Sequence, residues 1–134
     1  MIGVLVVTHG SIGEALLTSA AQILGNPPAQ VATLSVWRQD DPDDLVLRAR
    51  ELLESLDAGD GVLVITDIFG ATPGNVVSRL LEDGRIEGVS GASLPMLLRV
   101  LTGRNGSLPA AVQRALSGGS EGLVHMNSDR CMNG

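Results

Sequence analysis

Two short runs, Val4-Leu5-Val6-Val7 and Val62-Leu63-Val64-Ile65, are apolar at every position. A strand that alternates apolar and polar residues buries one face, whereas one that is apolar throughout must be covered on both. Helices on both faces of a parallel sheet provide that cover. A chain of 134 residues is long enough for one such domain with a sizeable core. Apolar runs of this length are far short of the roughly 20 residues that cross a membrane. No basic-then-apolar leader opens the chain, so the expectation is a cytoplasmic protein without membrane insertion.

Helix signals fall between the strand signals. Ser11 and Glu14 have the spacing of a capping box, and Leu16, Ala20, Ile23 and Leu24 follow as one apolar stripe. Val31 to Val36 reads as a second strand. Asp41-Pro42-Asp43-Asp44 then supplies a cap, a proline at the first helical position and acidic first-turn residues. That role accounts for the three aspartates better than metal binding does. This second helix should run to about Leu56, with Leu45, Ala49, Leu52, Leu53 and Leu56 inward.

After the strand at Val62 to Ile65, Thr72 and Pro73 read as cap and first helical residue of a helix ending near Asp83. A weaker strand lies near Ile86 to Ala92, and a helix begins at Leu94. A last helix spans about Leu108 to Leu116, with Gly118-Gly119 as its stop. Leu123 to Met126 is a short apolar stretch suited to an edge strand. Strands alternating with helices predict an α/β sandwich with a mainly parallel sheet, ordered 2-1-3-4. The domain should occupy residues 1–126 and a tail residues 127–134.

That order makes the first and third strands neighbours and places the topological switch, where such sheets bind ligands, between them. His9 ends the first strand and Asp67 ends the third. Read alone, His9 is either a polar strand end or a functional group among free backbone N–H donors. Beside Asp67 it becomes more specific. A carboxylate holding Nδ1–H fixes the tautomer and leaves Nε2 with a free lone pair. The flanking helix starts supply anion donors, Thr72 adds a hydroxyl, and Gly10, Gly13, Gly70 and Gly74 permit close backbone approach or serve as ordinary turns. A phosphoryl group suits such a cradle; a metal does not, because ligands are too few.

Composition excludes other classes. The net charge is −6, all nine basic residues are scattered arginines, and Trp37 and Phe69 are the only aromatics. Nucleic-acid grooves need basic tracks and stacking platforms, so that partner is disfavoured. The single cysteine, Cys131, cannot form an internal disulfide and reads as an inert thiol in the tail. No cofactor is called for.

Val7-Thr8-His9-Gly10 before a helix, and Thr66-Asp67-Ile68-Phe69-Gly70-Ala71-Thr72-Pro73-Gly74-Asn75, resemble the two signatures of the mannose-family IIA component of the bacterial sugar phosphotransferase system. Gly91-Ala92-Ser93-Leu94-Pro95-Met96-Leu97 is similar to that family's segment after strand four. The resemblance covers nearly the whole chain. It implies that His9 accepts a phosphoryl group from the phosphocarrier HPr and passes it to a IIB component, for sugar uptake or for regulation. It further implies that Asp67 orients His9. Gly10, Ser11, Gly70, Ala71 and Thr72 would then hold the phosphoryl oxygens. Phe69, Leu94 and Met96 are candidate docking residues, with Phe69 either exposed for that purpose or buried in the core. A homodimer that exchanges Leu123 to Met126 is implied as well. Ala71 and Thr72 depart from the glycine and serine common in the family; threonine keeps the hydroxyl.

Two alternatives share parts of this pattern. The phosphotransferase subunit of dihydroxyacetone kinase has a similar fold and histidine, but the Phe69 to Asn75 loop favours the mannose branch. A small cobalt or iron chelatase of tetrapyrrole synthesis also ends its first strand in His-Gly-Ser. That chemistry needs further metal ligands, and His125 is the only other histidine.

Overall fold

A computed structural model describes residues 1–128. In chain order the elements are β1 (Gly3–His9), α1 (Ile12–Leu24), β2 (Val31–Val36), α2 (Pro42–Leu56), β3 (Val62–Thr66), α3 (Thr72–Ser78), β4 (Ile86–Val89), α4 (Leu94–Leu101) and α5 (Leu108–Glu121). The four strands form one parallel sheet ordered β2-β1-β3-β4. This is the predicted architecture and strand order.

The continuous apolar strands do what their composition demands. Leu5 and Val7 of β1, with Val62 and Val64 of β3, pack into one core against Leu45, Ala49 and Leu53 of α2 and Val76 and Val77 of α3. Val4 and Val6, with Leu63 and Ile65, point the other way into a second core with Ala20 of α1, Leu97 and Val100 of α4, and Ala111 and Ala115 of α5. β1 and β3 are therefore buried on both faces, and only their ends reach solvent. No helix among the described residues is long and apolar enough to cross a membrane.

Local signals set most boundaries. The Asp41 side chain accepts from Asp43 N at 2.9 Å and Pro42 opens α2, which runs to Leu56 as expected. Ser93 and Ser107 cap α4 and α5 in the same way. Other expectations change. The Ser11–Glu14 capping box does not form, because Ser11 lacks the extended backbone of a capping residue (φ −93°, ψ 11°). Instead Thr8 Oγ1 accepts from Gly13 N at 2.8 Å, while Glu14 accepts from Ser35 Oγ at 3.4 Å. Ile23 is exposed rather than part of the inner stripe. Ala71, not Thr72, occupies the cap position of α3, which ends at Ser78.

The C-terminal end differs most. α5 continues through Gly118-Gly119 to Glu121, because those glycines are where α5 packs on α4. A methyl group on Gly118 would lie 2.7 Å from Arg99 Cβ. Leu123 to Met126 is not a strand in the single chain: residues 123–125 have no regular structure and Met126 starts a helical turn. These residues pair with no strand of the sheet, and Leu123, Val124 and Met126 are exposed. Cys131 lies outside the described residues.

Candidate active site

Strand register brings the two polar strand ends together. Val7 of β1 pairs with Thr66 of β3, so His9 and Asp67 leave the sheet side by side at its carboxyl edge. His9 Nδ1 lies 2.8 Å from Asp67 Oδ2, and the His9 backbone N–H donates to the same oxygen at 3.1 Å. Asp67 Oδ1 accepts from Ile68 N at 3.1 Å and from Thr66 Oγ1 at 3.4 Å. The carboxylate is thus gripped on both oxygens, with 12% of its side chain exposed against 48% for His9.

Burial pushes the Asp67 carboxyl up, but the hydrogen bonds from His9 Nδ1 and N, with the His9 charge, more than reverse this and hold it below its ordinary value. An ionised carboxylate only accepts hydrogen bonds, so His9 Nδ1 must carry the proton. In the neutral ring Nε2 then carries the lone pair, on a side chain that is 48% exposed, and is the atom of His9 able to act as a nucleophile.

Two glycines shape the approach. Gly10 takes a left-handed backbone (φ +48°) with the Trp37 ring against it, 3.2 Å from where a Cβ would stand. Its N–H donates to Val36 O at 2.9 Å. Gly10 therefore makes the turn after His9, and its amide is spent on β2 rather than aimed at a ligand. Gly70, also left-handed (φ +89°), turns the chain from Phe69 into the start of α3. Thr72 lines a cleft of ≈ 490 Å³ together with His9, Trp37, Arg38 and Asp40. No side chain caps the start of α3. Ser11 stands exposed at the start of α1, its hydroxyl unused by the helix it precedes.

The candidate docking residues divide. Phe69 is 82% exposed, which settles the choice between surface and core. Leu94 is half-buried, and Met96 sits in the core at 3% exposure, so Met96 is not available to a partner in this chain. The large apolar side chains of Trp37 and Ile68, on the loops after β2 and β3, and of Ile12, at the start of α1, are also exposed. Arg38, which lines the same cleft, carries no motif. The signal for it is register: His9 pairs with Val36, so Trp37 and Arg38 follow directly opposite the histidine. Among the described residues no group of three or more His, Cys, Asp or Glu could hold a metal ion. His125 pairs with Ser128 instead.

The family EIIA-man, described as the PTS system fructose IIA component, matches residues 3–116. The chain belongs to this family. It is a IIA-type component of the phosphotransferase system, and that membership places it above the kinase-subunit and chelatase alternatives. Over 125 residues this IIA chain is 30% identical to the PTS system mannose-specific EIIAB component of Escherichia coli (strain K12). The match takes in 91% of the chain but only 38% of that longer protein. The PTS system fructose-specific EIIA component of Bacillus subtilis (strain 168) is 31% identical over 103 residues, 76% of the chain and 70% of the relative. A crystal structure of phosphotransferase system component EIIA from Streptococcus agalactiae superposes with a TM-score of 0.85 at 26% identity, covering 96% of this chain and 99% of that one.

Proposed function

We propose that this IIA component carries a phosphoryl group on His9 Nε2, taking it from phosphorylated HPr and handing it to a IIB component. It would do so in the cytoplasm, in sugar uptake or in a regulatory relay. The observation that carries this reading is the 2.8 Å contact from His9 Nδ1 to Asp67, which leaves Nε2 as the free nitrogen of a half-exposed ring.

The chemistry follows from that contact. In the forward step the donor's nitrogen–phosphorus bond breaks, its electron pair returns to the donor imidazole, and a bond forms from His9 Nε2 to phosphorus. The His9 ring keeps its Nδ1 proton throughout and so acquires positive charge, which the Asp67 carboxylate offsets at hydrogen-bond distance. Transfer to the acceptor is the same step in reverse geometry. Thr72, which lines the His9 cleft, is assigned as a donor to the phosphoryl oxygens together with Ser11 and the backbone at Gly70 and Ala71, and Gly10 contributes the turn.

Partner docking is assigned to the exposed apolar rim. Phe69, Ile68, Trp37 and Ile12 are exposed on the segments that follow β3, β2 and β1, the strand ends from which His9 emerges, and protein interfaces centre on such anchors. A homodimer is supported by two exposed features. Leu123, Val124 and Met126 are exposed, and an apolar groove of ≈ 350 Å³ opens beside edge strand β4, lined by Val77, Leu81, Val89, Val112 and Leu116. Exchange of residues 123–126 into that region of a second copy would cover both.

Incubation with phosphoenolpyruvate, enzyme I and HPr, followed by intact mass, tests the carrier role. One acid-labile phosphate is expected on the wild-type chain and none on His9→Ala. A phosphate that survives acid, or that persists in His9→Ala, would refute the assignment.

A further inference from the structure

Carrying a phosphoryl group puts two negative charges beside Asp67 on a chain whose net charge is already −6. The charge gained by the His9 ring is already offset by Asp67, so the phosphoryl oxygens would be stabilised by a further cation, which neither Asp67 nor Thr72 provides. Arg38 is the one arginine among the residues lining the His9 cleft. Resting on the carrier reading, we propose that Arg38 is a further catalytic residue, whose guanidinium binds the phosphoryl oxygens on His9 Nε2.

Three observations support this. The first is placement by a doubly closed turn. Asp40 N donates to Trp37 O at 3.0 Å, and Trp37 N donates to Asp40 Oδ2 at 2.8 Å. Arg38 and Gln39 form the middle of that turn, and the Trp37 ring anchors it on Gly10, one residue after His9. The arginine is therefore presented to the cleft from a fixed base rather than from a loose loop.

The second is that the fold does not use it. Arg79 and Arg85 pair with Asp43 and Asp57, Arg99 pairs with Glu121, and Arg104 is buried on Ile2 O and Gln30 O. Arg38, in contrast, makes no hydrogen bond or ion pair among the described residues. It is exposed, so its side chain is free to follow a ligand.

The third is chemical fit. The carboxylate that lines the cleft, Asp40, accepts from the Trp37 amide, and Asp67 is held by His9 and Ile68. A planar guanidinium binds two phosphoryl oxygens at once, as lysine cannot.

Single-turnover transfer from phosphorylated HPr, with the full chain as acceptor, tests the proposal in wild type, Arg38→Gln and Arg38→Lys. The rate at saturating donor should fall about tenfold or more in Arg38→Gln, the loss of a charged hydrogen bond. Arg38→Lys should recover part of it, and the melting temperature should not move. A wild-type rate in Arg38→Gln overturns the role of Arg38 while leaving His9 as carrier. An effect confined to KM also overturns it, since the arginine would then serve docking. A wild-type chain that takes no phosphate overturns both readings.

Discussion

Gly13 N donates to Thr8 Oγ1 at 2.8 Å, joining the start of α1 to the last buried residue before His9. Thr8 is 1% exposed, so the bond sits in the core and not on the surface. It does the work that Ser11 leaves undone, and it fixes where His9 emerges.

Thr8→Val keeps the shape and removes the acceptor, leaving Gly13 N buried without a partner. The expected cost is about 1–3 kcal/mol. Urea denaturation should show a lower midpoint with an unchanged slope; an unchanged midpoint would mean that the Gly13 amide finds another acceptor.

Asp67→Asn preserves the size of the side chain but removes the charge that offsets the phosphorylated ring. Its amide can also present an N–H to His9 Nδ1 and select the wrong tautomer. Transfer to His9 should slow by about 10² or more, with secondary structure intact by circular dichroism. Wild-type rates would remove Asp67 from the mechanism.

Stability should fall in acid through two carboxylates. Asp67 is held below the ordinary value of 3.8 because the His9 interactions outweigh burial. Asp57 is held below 3.8 first by the Gly59 amide, against burial, with help from the Gly61 amide and Arg85. A carboxyl group whose pKa is lower in the folded state stabilises the fold above its unfolded value, and that contribution is lost as pH falls through the folded value. The denaturation midpoint should therefore drop below about pH 4. Asp57→Asn should flatten that part of the profile, and an identical profile in this variant would contradict the assignment.

Gly118→Ala sets two effects against each other. Alanine in a helix interior gains about 1 kcal/mol over glycine. Its methyl group would stand 2.7 Å from Arg99 Cβ and 3.2 Å from Met96 Cα, and overpacking of this kind costs about 1–3 kcal/mol. Packing should win, lowering the melting temperature; a higher melting temperature would show that α4 and α5 can move apart.

These positions also show how far the sequence could be read. The sheet was legible because Val4 to Val7 and Val62 to Ile65 are apolar at every position, and α2 because Asp41-Pro42 is a local cap signal. His9 with Asp67 followed from strand order. Tertiary contacts decided the rest. Gly118-Gly119 looks like a stop until α4 is packed on it, and Ser11-Glu14 looks like a box until Thr8 takes the Gly13 amide. Met96 lies in a helix that the sequence does show, but which face of that helix meets the sheet is a tertiary matter, and α4 turns Met96 inward. Arg38 reaches the cleft through the pairing of His9 with Val36, a register that no local motif encodes.

The most direct test is to identify which ring nitrogen of His9 carries the phosphoryl group, by nitrogen-15 and phosphorus-31 magnetic resonance on the charged chain. Because Asp67 holds Nδ1 at 2.8 Å, the phosphorus should be bonded to Nε2 and the Nδ1 proton should remain. Phosphorus on Nδ1 would require the Asp67 contact to break and would contradict the carrier geometry derived from it.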